Sequence, residues 1–399
     1  MKNFRITMLL AASMLFSIQM QAQKDEKPVY QFTDDVEAPH TIVQNQAQSG
    51  TCWCFAGTGF VEAEILKKYD VALNLSEMFF VRWAYAQKFN RFVRLHSATN
   101  LSCGGEVFDV LYALDANGMI TEEAYSGLVP GFERHCHWEL QNVIEGYAKV
   151  VTKKSNGRIL YDVYPKMVES TLDAYLGEVP EDFEYDGAQY DPKSFAQKYK
   201  LDINDYIQFS SYTDQEMYKP FLIQIPDNWT STMTYNMGFD EMMAELDNAL
   251  NNGYTVGWAE DVSDKGFSRK AGVGVVLDED IDKIRESNPK KFKKMSDDEI
   301  KDIIYKFEDV LPEKEVTEEM HQTAYDDWST TDDHSMLIVG IAHDQNGNKY
   351  YKVKNSWGES GPYKGFWYCS DAYVRLHTVF FTVNKAGLSD GIKDKLSIK

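Results

Sequence analysis

The chain has 399 residues, and its 41 lysines and arginines against 62 aspartates and glutamates leave a formal net charge of −21 at pH 7. Apolar residues make up 43% of the sequence, which is enough for a large hydrophobic core. The acidic excess argues against nucleic acid and anionic membrane surfaces as partners, because like charges repel.

The first predicted element is an export signal. Lys2 and Arg5 precede an apolar stretch from Ile6 to Met20, and Ala22 follows just before a polar segment. This pattern is typical of a secretory signal peptide at residues 1–22, so we expect a periplasmic or secreted protein. The alternative is a membrane anchor, but the stretch is shorter than a full span and polar residues interrupt it. No later segment is apolar enough to cross a bilayer, so we expect no stable membrane insertion after signal cleavage.

The segment around Cys52 is the most informative part of the sequence. Cys52 follows a turn at Gly50 and precedes an apolar run that predicts a helix. The positive end of a helix dipole favours the thiolate, the nucleophilic form of cysteine. Gln46, six residues earlier, carries a side-chain amide that can donate a hydrogen bond to a developing oxyanion. The segment therefore predicts a nucleophile and an oxyanion donor, but it holds no base.

Helical spacing of apolar residues continues from residue 57 to about 151, with Gly118 as a predicted helix stop. Within this region, Gly104 and Gly105 either let an extended substrate backbone approach closely or form a simple turn. The segment His135–His137 contains three potential metal ligands. No second cluster at ligand spacing accompanies it, so we expect a surface loop and no metal site.

Residues 153–331 are predicted to form a large, mainly helical insertion. They include a helix around Phe239 to Leu250 and a strand-like segment at 254–259 that returns to the core. The highly charged part from 281 to 316 predicts exposed helices with i,i+4 charge pairs.

The rest of the chain has a β pattern. Apolar runs at Met336–Ile341, Tyr350–Val353, Phe366–Tyr368 and Thr378–Val383 predict strands. The segment Asp344–Asn348 is a hairpin turn between the first two of them.

His334 stands at the start of the first of these strands and can supply the missing base. In a cysteine–histidine pair the imidazole takes the thiol proton, and an amide oxygen on the other ring nitrogen fixes the tautomer. Asn355 is the predicted orienting amide, and Trp357 is predicted to shield the His–Asn hydrogen bond from water. The order Cys52, His334, Asn355 is that of papain and the cathepsins.

On these residues the chain resembles a papain-like cysteine peptidase, most closely the bleomycin hydrolase or aminopeptidase C branch. Three blocks carry the resemblance: residues 45–55, residues 333–334 with the strand that follows, and residues 355–366. Ser49 stands where papain has a cysteine three residues before its nucleophile, and this absence is typical of the branch. The separation of Cys52 from His334 exceeds the roughly 130–150 residues of papain and the cathepsins, and the insertion accounts for most of the excess.

The resemblance implies an α+β, papain-like two-lobed fold within a peptidase domain at residues 23–383. A helical lobe at about 43–152 would carry the nucleophile helix. A β-barrel-like lobe at about 332–383 would face it across a cleft, with the insertion at about 153–331 between them in the chain.

The implied function is hydrolysis of peptide bonds through a thioester, without a cofactor and from a resting imidazolium–thiolate pair. We expect an aminopeptidase that acts on peptide substrates. The alternatives are an endopeptidase of the same chemistry and a catalytically silent peptide-binding protein on the same fold.

Several finer expectations also come from the resemblance. The carboxylate of Lys399, at the end of the tail 384–399, would hold the substrate's free amine, although the polar tail is nearly as compatible with disorder. The glycine pair at 104–105 and Asp333 would contact substrate, and the insertion would build a hexamer or be solvated decoration. The sequence leaves the pairing of the other cysteines open: Cys54, Cys103, Cys136 and Cys369.

Overall fold

The computed structural model describes residues 28–153 and 158–398 and shows an α+β protein. The predicted signal at 1–22 and Lys399 lie outside the described residues. The helices are α1 (Cys52–Tyr69), α2 (Glu77–Arg94), α3 (Val107–Asn117), α4 (Trp138–Thr152), α5 (Tyr164–Leu176), α6 (Pro192–Tyr199), α7 (Phe239–Asn251), α8 (Ile281–Ser287), α9 (Pro289–Phe292), α10 (Asp297–Lys301), α11 (Glu318–Asp326), α12 (Asp371–His377) and α13 (Asp390–Leu396). The strands are β1 (Phe32–Glu37), β2 (Phe183–Tyr185), β3 (Ala188–Tyr190), β4 (Tyr206–Ser210), β5 (Pro220–Leu222), β6 (Met233–Asn236), β7 (Val256–Glu260), β8 (Phe267–Ser268), β9 (Val273–Gly274), β10 (His334–Asp344), β11 (Lys349–Lys354), β12 (Phe366–Ser370) and β13 (Thr378–Asn384).

One mixed sheet of eleven strands joins the halves of the chain, in the order β5-β6-β4-β13-β7-β10-β11-β12-β9-β8, with β1 paired to β10. Strand β10 pairs with β7 along its first half and with β1 along its second half. Its side chains alternate between two cores. Leu337 and Val339 pack among the helices, whereas Met336 and Ile338 enter the core of the β lobe. Burial on both faces explains the continuous apolar run of this strand.

Helix α1 is buried on every face from Trp53 to Ile65. It passes very close to α3, because a Cβ atom built on Gly57 would lie 2.6 Å from the Val110 side chain. A helix held on all sides is a rigid support for the residue at its first position, which is Cys52.

The region 153–331 contains the predicted helices and also more strands than the sequence predicts. It contributes six strands, β4 to β9, to the large sheet, and β7 lies near the middle between β13 and β10. All five residues of β7 are buried. This strand coincides with the strand-like segment predicted at 254–259, and its burial on both faces explains why it lacks an alternating pattern.

The charged segment at 281–316 also differs from the prediction of exposed helices with i,i+4 pairs. Besides the i,i+3 pair of Arg285 with Asp282, its ion pairs join residues farther apart, such as Arg285 with Asp297 and Lys291 with Asp309. Ile284, which has no exposed surface, belongs to a third hydrophobic core beneath this segment. The segment is thus a packed layer rather than solvated decoration.

The C-terminal tail is ordered as far as Ile398 and packs against α7. Ile392 and Leu396 of α13 enter the core of the β lobe. The Ser389 N–H donates to the Glu245 carboxylate at 2.8 Å. The alternative of a disordered tail is therefore wrong for residues 384–398.

Within the described ranges, no helix combines the length and hydropathy needed to cross a bilayer.

Candidate active site

A single cleft, with a volume of about 590 Å³, collects most of the predicted site residues. The predicted residues that line it are Gln46, Cys52, Gly104, Gly105, Asp333, His334 and Trp357. Asn355 lies behind His334, and none of the described tail residues lines the cleft. The structure therefore brings together residues that are far apart in the sequence, while Lys399 lies outside the described residues.

Cys52 is the first residue of α1 and is partly exposed in the cleft. Burial of the thiol raises its pKa to about 12, opposed by backbone hydrogen bonding from Ser335 and reinforced by the charge of Asp332. Loss of water around the sulfur disfavours the charged thiolate. The resting thiolate that the resemblance implies is not the form that this environment favours.

His334 is held by Asn355 and covered by Trp357. Its Nε2 atom lies 2.9 Å from Asn355 Oδ1, which also accepts the Ser356 N–H at 2.7 Å. Because that oxygen acts as an acceptor, Nε2 carries the proton and Nδ1 keeps its lone pair. The Trp357 ring stacks on the imidazole with 4.9 Å between ring centroids, as the predicted shielding role requires.

Burial lowers the pKa of His334 to about 4, against the opposing hydrogen bond with Asn355. The ring is therefore a neutral imidazole at ordinary pH. The described residues show no hydrogen bond between this ring and the Cys52 sulfur, although both line the same cleft. Catalytic hydrogen bonds are often long in ligand-free structures and tighten when substrate binds.

Gln46 is locked in place by Ser356, a residue that the sequence analysis did not single out. The Gln46 N–H donates to the Ser356 carbonyl at 2.8 Å, and the Ser356 hydroxyl donates to Gln46 Oε1 at 2.6 Å. The amide oxygen is thereby occupied, which leaves the NH2 group of Gln46 to donate into the cleft. Ser356 stands between Asn355 and Trp357, so three consecutive residues support the candidate base and the candidate oxyanion donor.

Replacing Gln46 with alanine is expected to lower kcat by roughly 10²–10³-fold with a smaller effect on KM, because an oxyanion donor acts mainly in the transition state. Steady-state kinetics on a fluorogenic peptide measure the change. Gln48→Ala is the matched control, since Gln48 is exposed and lies two residues away. Equal losses in both variants would contradict the role of Gln46.

The glycine pair is anchored by side chains from the helical lobe. Trp53 Nε1 donates to the Cys103 carbonyl at 2.9 Å, and Lys88 Nζ donates to the carbonyls of Ser102 and Gly104. A Cβ on Gly105 would lie 2.7 Å from the Asp109 carboxylate. Close approach of the protein's own side chains thus explains the glycines, a reason that neither sequence-based alternative included.

Asp333 and Arg269 are two of the charged residues that line the cleft. Asp333 Oδ1 accepts the Val262 N–H at 2.9 Å, so this carboxylate is tied to the backbone after β7. The Arg269 guanidinium lies 4.1 Å from the Trp357 ring centroid. Arg269 carried no signal in the sequence, because only the folded sheet brings β8 and the loop after β11 together.

The five cysteines are free thiols in the structure. Cys54 is fully buried, as expected for a core residue.

The segment His135–His137 contains three potential metal ligands. His135 and His137 have ring centroids 5.6 Å apart. In the part of the chain that the structure describes, no three His, Cys, Asp or Glu side chains are grouped as a metal site.

Comparison with known proteins identifies the family. The Peptidase C1-like family model matches residues 5–100 and 174–399, well over half of the chain. The chain belongs to the Peptidase C1-like family. Aminopeptidase G of Lactobacillus delbrueckii subsp. lactis is 22% identical, over 90% of this chain and 85% of its own length. Aminopeptidase C of Listeria innocua is also 22% identical, over 93% of this chain and 87% of its own.

The fold is shared with a solved structure. PepW from Lactobacillus rhamnosis superposes with a TM-score of 0.68 at 19% identity, covering 92% of this chain and 84% of that one. The predicted resemblance to papain-like cysteine peptidases and the α+β fold class are thereby confirmed. The roles of the individual site residues stay predictions.

Proposed function

We propose that this Peptidase C1-like protein is an exported aminopeptidase that hydrolyses peptide bonds through a thioester on Cys52. The observation that carries the proposal is the cleft in which Cys52 begins a buried helix and shares the cleft wall with the His334–Asn355 pair. Relatives named aminopeptidase C and aminopeptidase G, similar along nearly the whole chain, support action at a free amino terminus.

The geometry supports the following sequence of steps. His334 Nδ1 takes the thiol proton as the Cys52 sulfur attacks the scissile carbonyl carbon. The Gln46 NH2 and the Cys52 N–H stabilise the oxyanion. The imidazolium then gives its proton to the leaving amine, the C–N bond breaks and the thioester remains. Water, deprotonated by His334, releases the acid product and restores the thiol.

Because burial disfavours the charged form of both reacting groups, we expect proton transfer to accompany the attack instead of preceding it. Asn355 keeps Nε2 protonated throughout, so Nδ1 is the only ring nitrogen that exchanges protons with substrate.

Export is proposed from the residue pattern at 1–22 alone, and a hexamer from the family resemblance alone. Cell fractionation with and without residues 1–22 tests the first, because deletion is expected to retain the protein in the cytoplasm.

Paired fluorogenic substrates test the proposed specificity. Aminoacyl-methylcoumarylamides with a free amine are expected to be hydrolysed much faster than their N-acetylated counterparts. Equal or faster hydrolysis of the acetylated compounds would make the protein an endopeptidase. Absence of turnover on both sets, in folded protein, would favour the peptide-binding alternative.

A further inference from the structure

Asp227 and Asp332 place two carboxylates in the candidate active-site cleft without a cationic partner. The ion pairs formed by the described residues include neither of them. Asp332 Oδ2 is buried and has no hydrogen-bond partner within the described chain. A buried carboxylate oxygen without a donor costs free energy, and natural proteins usually avoid it unless the group serves a ligand.

Asp227 is built into its position rather than being a mobile surface acid. Asn100 Nδ2 donates to Asp227 Oδ1 at 2.6 Å. Two residues further on, Trp229 Nε1 donates to the Asp109 carboxylate at 2.6 Å, which docks this loop onto the start of α3. The loop belongs to the region 153–331, so that region reaches into the cleft.

The carboxylate of Asp227 lies directly over Gly104. A Cβ built on Gly104 would be 1.9 Å from Asp227 Oδ2, so the side chain occupies the space beside the glycine pair. An extended substrate that runs along residues 104–105 meets this carboxylate after passing Gly104. A continuing peptide would have to bury an uncharged amide against two acids, whereas a chain that ends there presents an ammonium group.

The charges that face this position are mostly negative. Burial, reinforced by the charges of Asp227, Asp333 and Asp109, raises the pKa of Asp332 well above the ordinary value. Burial also raises the pKa of Asp227 against the opposing charge of Lys88, whose Nζ is committed to the carbonyls of the glycine segment. The remaining cation of the cleft is Arg269, which stacks over Trp357. A cationic ligand would therefore relieve an unbalanced cluster of acids.

We propose that Asp227 and Asp332 together bind the α-ammonium group of the peptide substrate. This inference rests on the proposed aminopeptidase function and names the residues that would give it its specificity. The two side chains would do what the family resemblance assigns to the carboxylate of Lys399. A lysine side chain in the substrate offers the same chemistry, and the test must separate the two sources.

The test compares the ratio of kcat/KM for free over N-acetylated aminoacyl-methylcoumarylamides in the wild type, in Asp227→Asn and in Asp332→Asn. Each variant is expected to lower this ratio by about tenfold to a hundredfold, because charge-assisted hydrogen bonds to the ammonium are lost. Glu184→Gln is the control. Glu184 is an exposed carboxylate of the same region, on β2, and its removal is expected to leave the ratio unchanged.

Substrate variation makes the same test without mutation. A desamino acyl-methylcoumarylamide, which lacks only the amine, is expected to react as slowly as the acetylated compound in the wild type. Comparison of N-acetyl-lysyl with N-acetyl-leucyl substrates tests whether the two carboxylates bind the ammonium group of a lysine side chain instead. A preference for the lysyl compound that disappears in both variants would overturn the α-ammonium assignment in favour of a side-chain pocket.

Equal losses on free and acetylated substrates, or an unchanged ratio in both variants, would also overturn it. Thermal unfolding and alkylation of Cys52 by iodoacetamide check that each variant is folded, and a folded variant at either position decides the question. Failure of the proposed aminopeptidase function can be distinguished from failure of this residue assignment. If the function is wrong, the wild type itself shows no preference for substrates with a free amine.

Discussion

Replacing Cys52 with alanine is expected to lower kcat/KM for peptide hydrolysis by roughly 10⁴-fold or more, which places the activity at the detection limit. The alanine removes the thiol at the first position of the buried helix, and Cys54, two residues further on, is fully buried, so a thioester cannot form. The fold should persist, because the side chain lines a cleft and fills no core. Kinetics on a free-amine fluorogenic substrate, with circular dichroism as the folding check, measure the effect.

Cys103→Ser is the matched control for this substitution. Cys103 is a second thiol of the same cleft, and its contribution to the hydrogen bonds of the glycine segment comes from its backbone carbonyl. Turnover close to that of the wild type is expected for Cys103→Ser. If Cys52→Ala kept comparable turnover, or if Cys103→Ser lost it, the nucleophile would be wrongly assigned.

Replacing His334 with alanine is expected to have an effect of similar size, roughly 10³–10⁶-fold in kcat, since the nucleophile and its base act as one unit. Asn355 and Trp357 hold only the imidazole and cannot replace its proton transfer. The control is His343→Ala, near the far end of the same strand, where the side chain is partly exposed and paired with Asp35. Activity retained in His334→Ala would exclude the ring as the base.

The same ring sets the acid limb of the pH profile in the wild type. Burial lowers the pKa of His334 from 6.5 to about 4, so the unprotonated base persists down to about that pH. The kcat/KM is therefore expected to fall as the pH drops through about 4. An acid limb near pH 6.5 would show that the ring is solvated and that the cleft is more open in solution than in the structure.

The parts of the site that the sequence predicts are those with local signals. Cys52 stands at a helix start marked by a glycine turn, and His334 and Asn355 stand at the ends of strong apolar strands. The hairpin turn at 344–348 follows the same rule: Asp344 Oδ1 accepts the N–H groups of Asn346 and Asn348, each at 2.8 Å. Such features depend on neighbouring residues and are readable from one sequence.

The features that were missed depend on contacts between distant parts of the chain. Asp227 and Arg269 reach the cleft only because the strands of region 153–331 join the central sheet, and several of these strands, such as β5 and β8, are too short to carry an alternating pattern. Burial of Cys52 and His334 is likewise a tertiary property, and it opposes the charged forms that the expected ion pair requires.

The sequence of the C-terminal tail contains a helix-start signal, but its overall composition points elsewhere. Its polar residues and two glycines favour either disorder or a reach into the cleft. The structure instead begins α13 with a capping bond, in which Ser389 Oγ accepts the Ile392 N–H at 3.3 Å. Helix α13 then buries Leu396 in the β-lobe core. A serine before an amphipathic turn is a helix-start signal in its own right.

Mass spectrometry of the acyl-enzyme tests the central claim most directly. Acid quenching of the protein during turnover of a free-amine aminoacyl ester should trap a covalent adduct with the mass of the acyl group. Peptide mapping is expected to place that adduct on Cys52 alone among the five cysteines, and His334→Ala should abolish it. Turnover without any adduct on Cys52, or an adduct on another residue, would contradict the account.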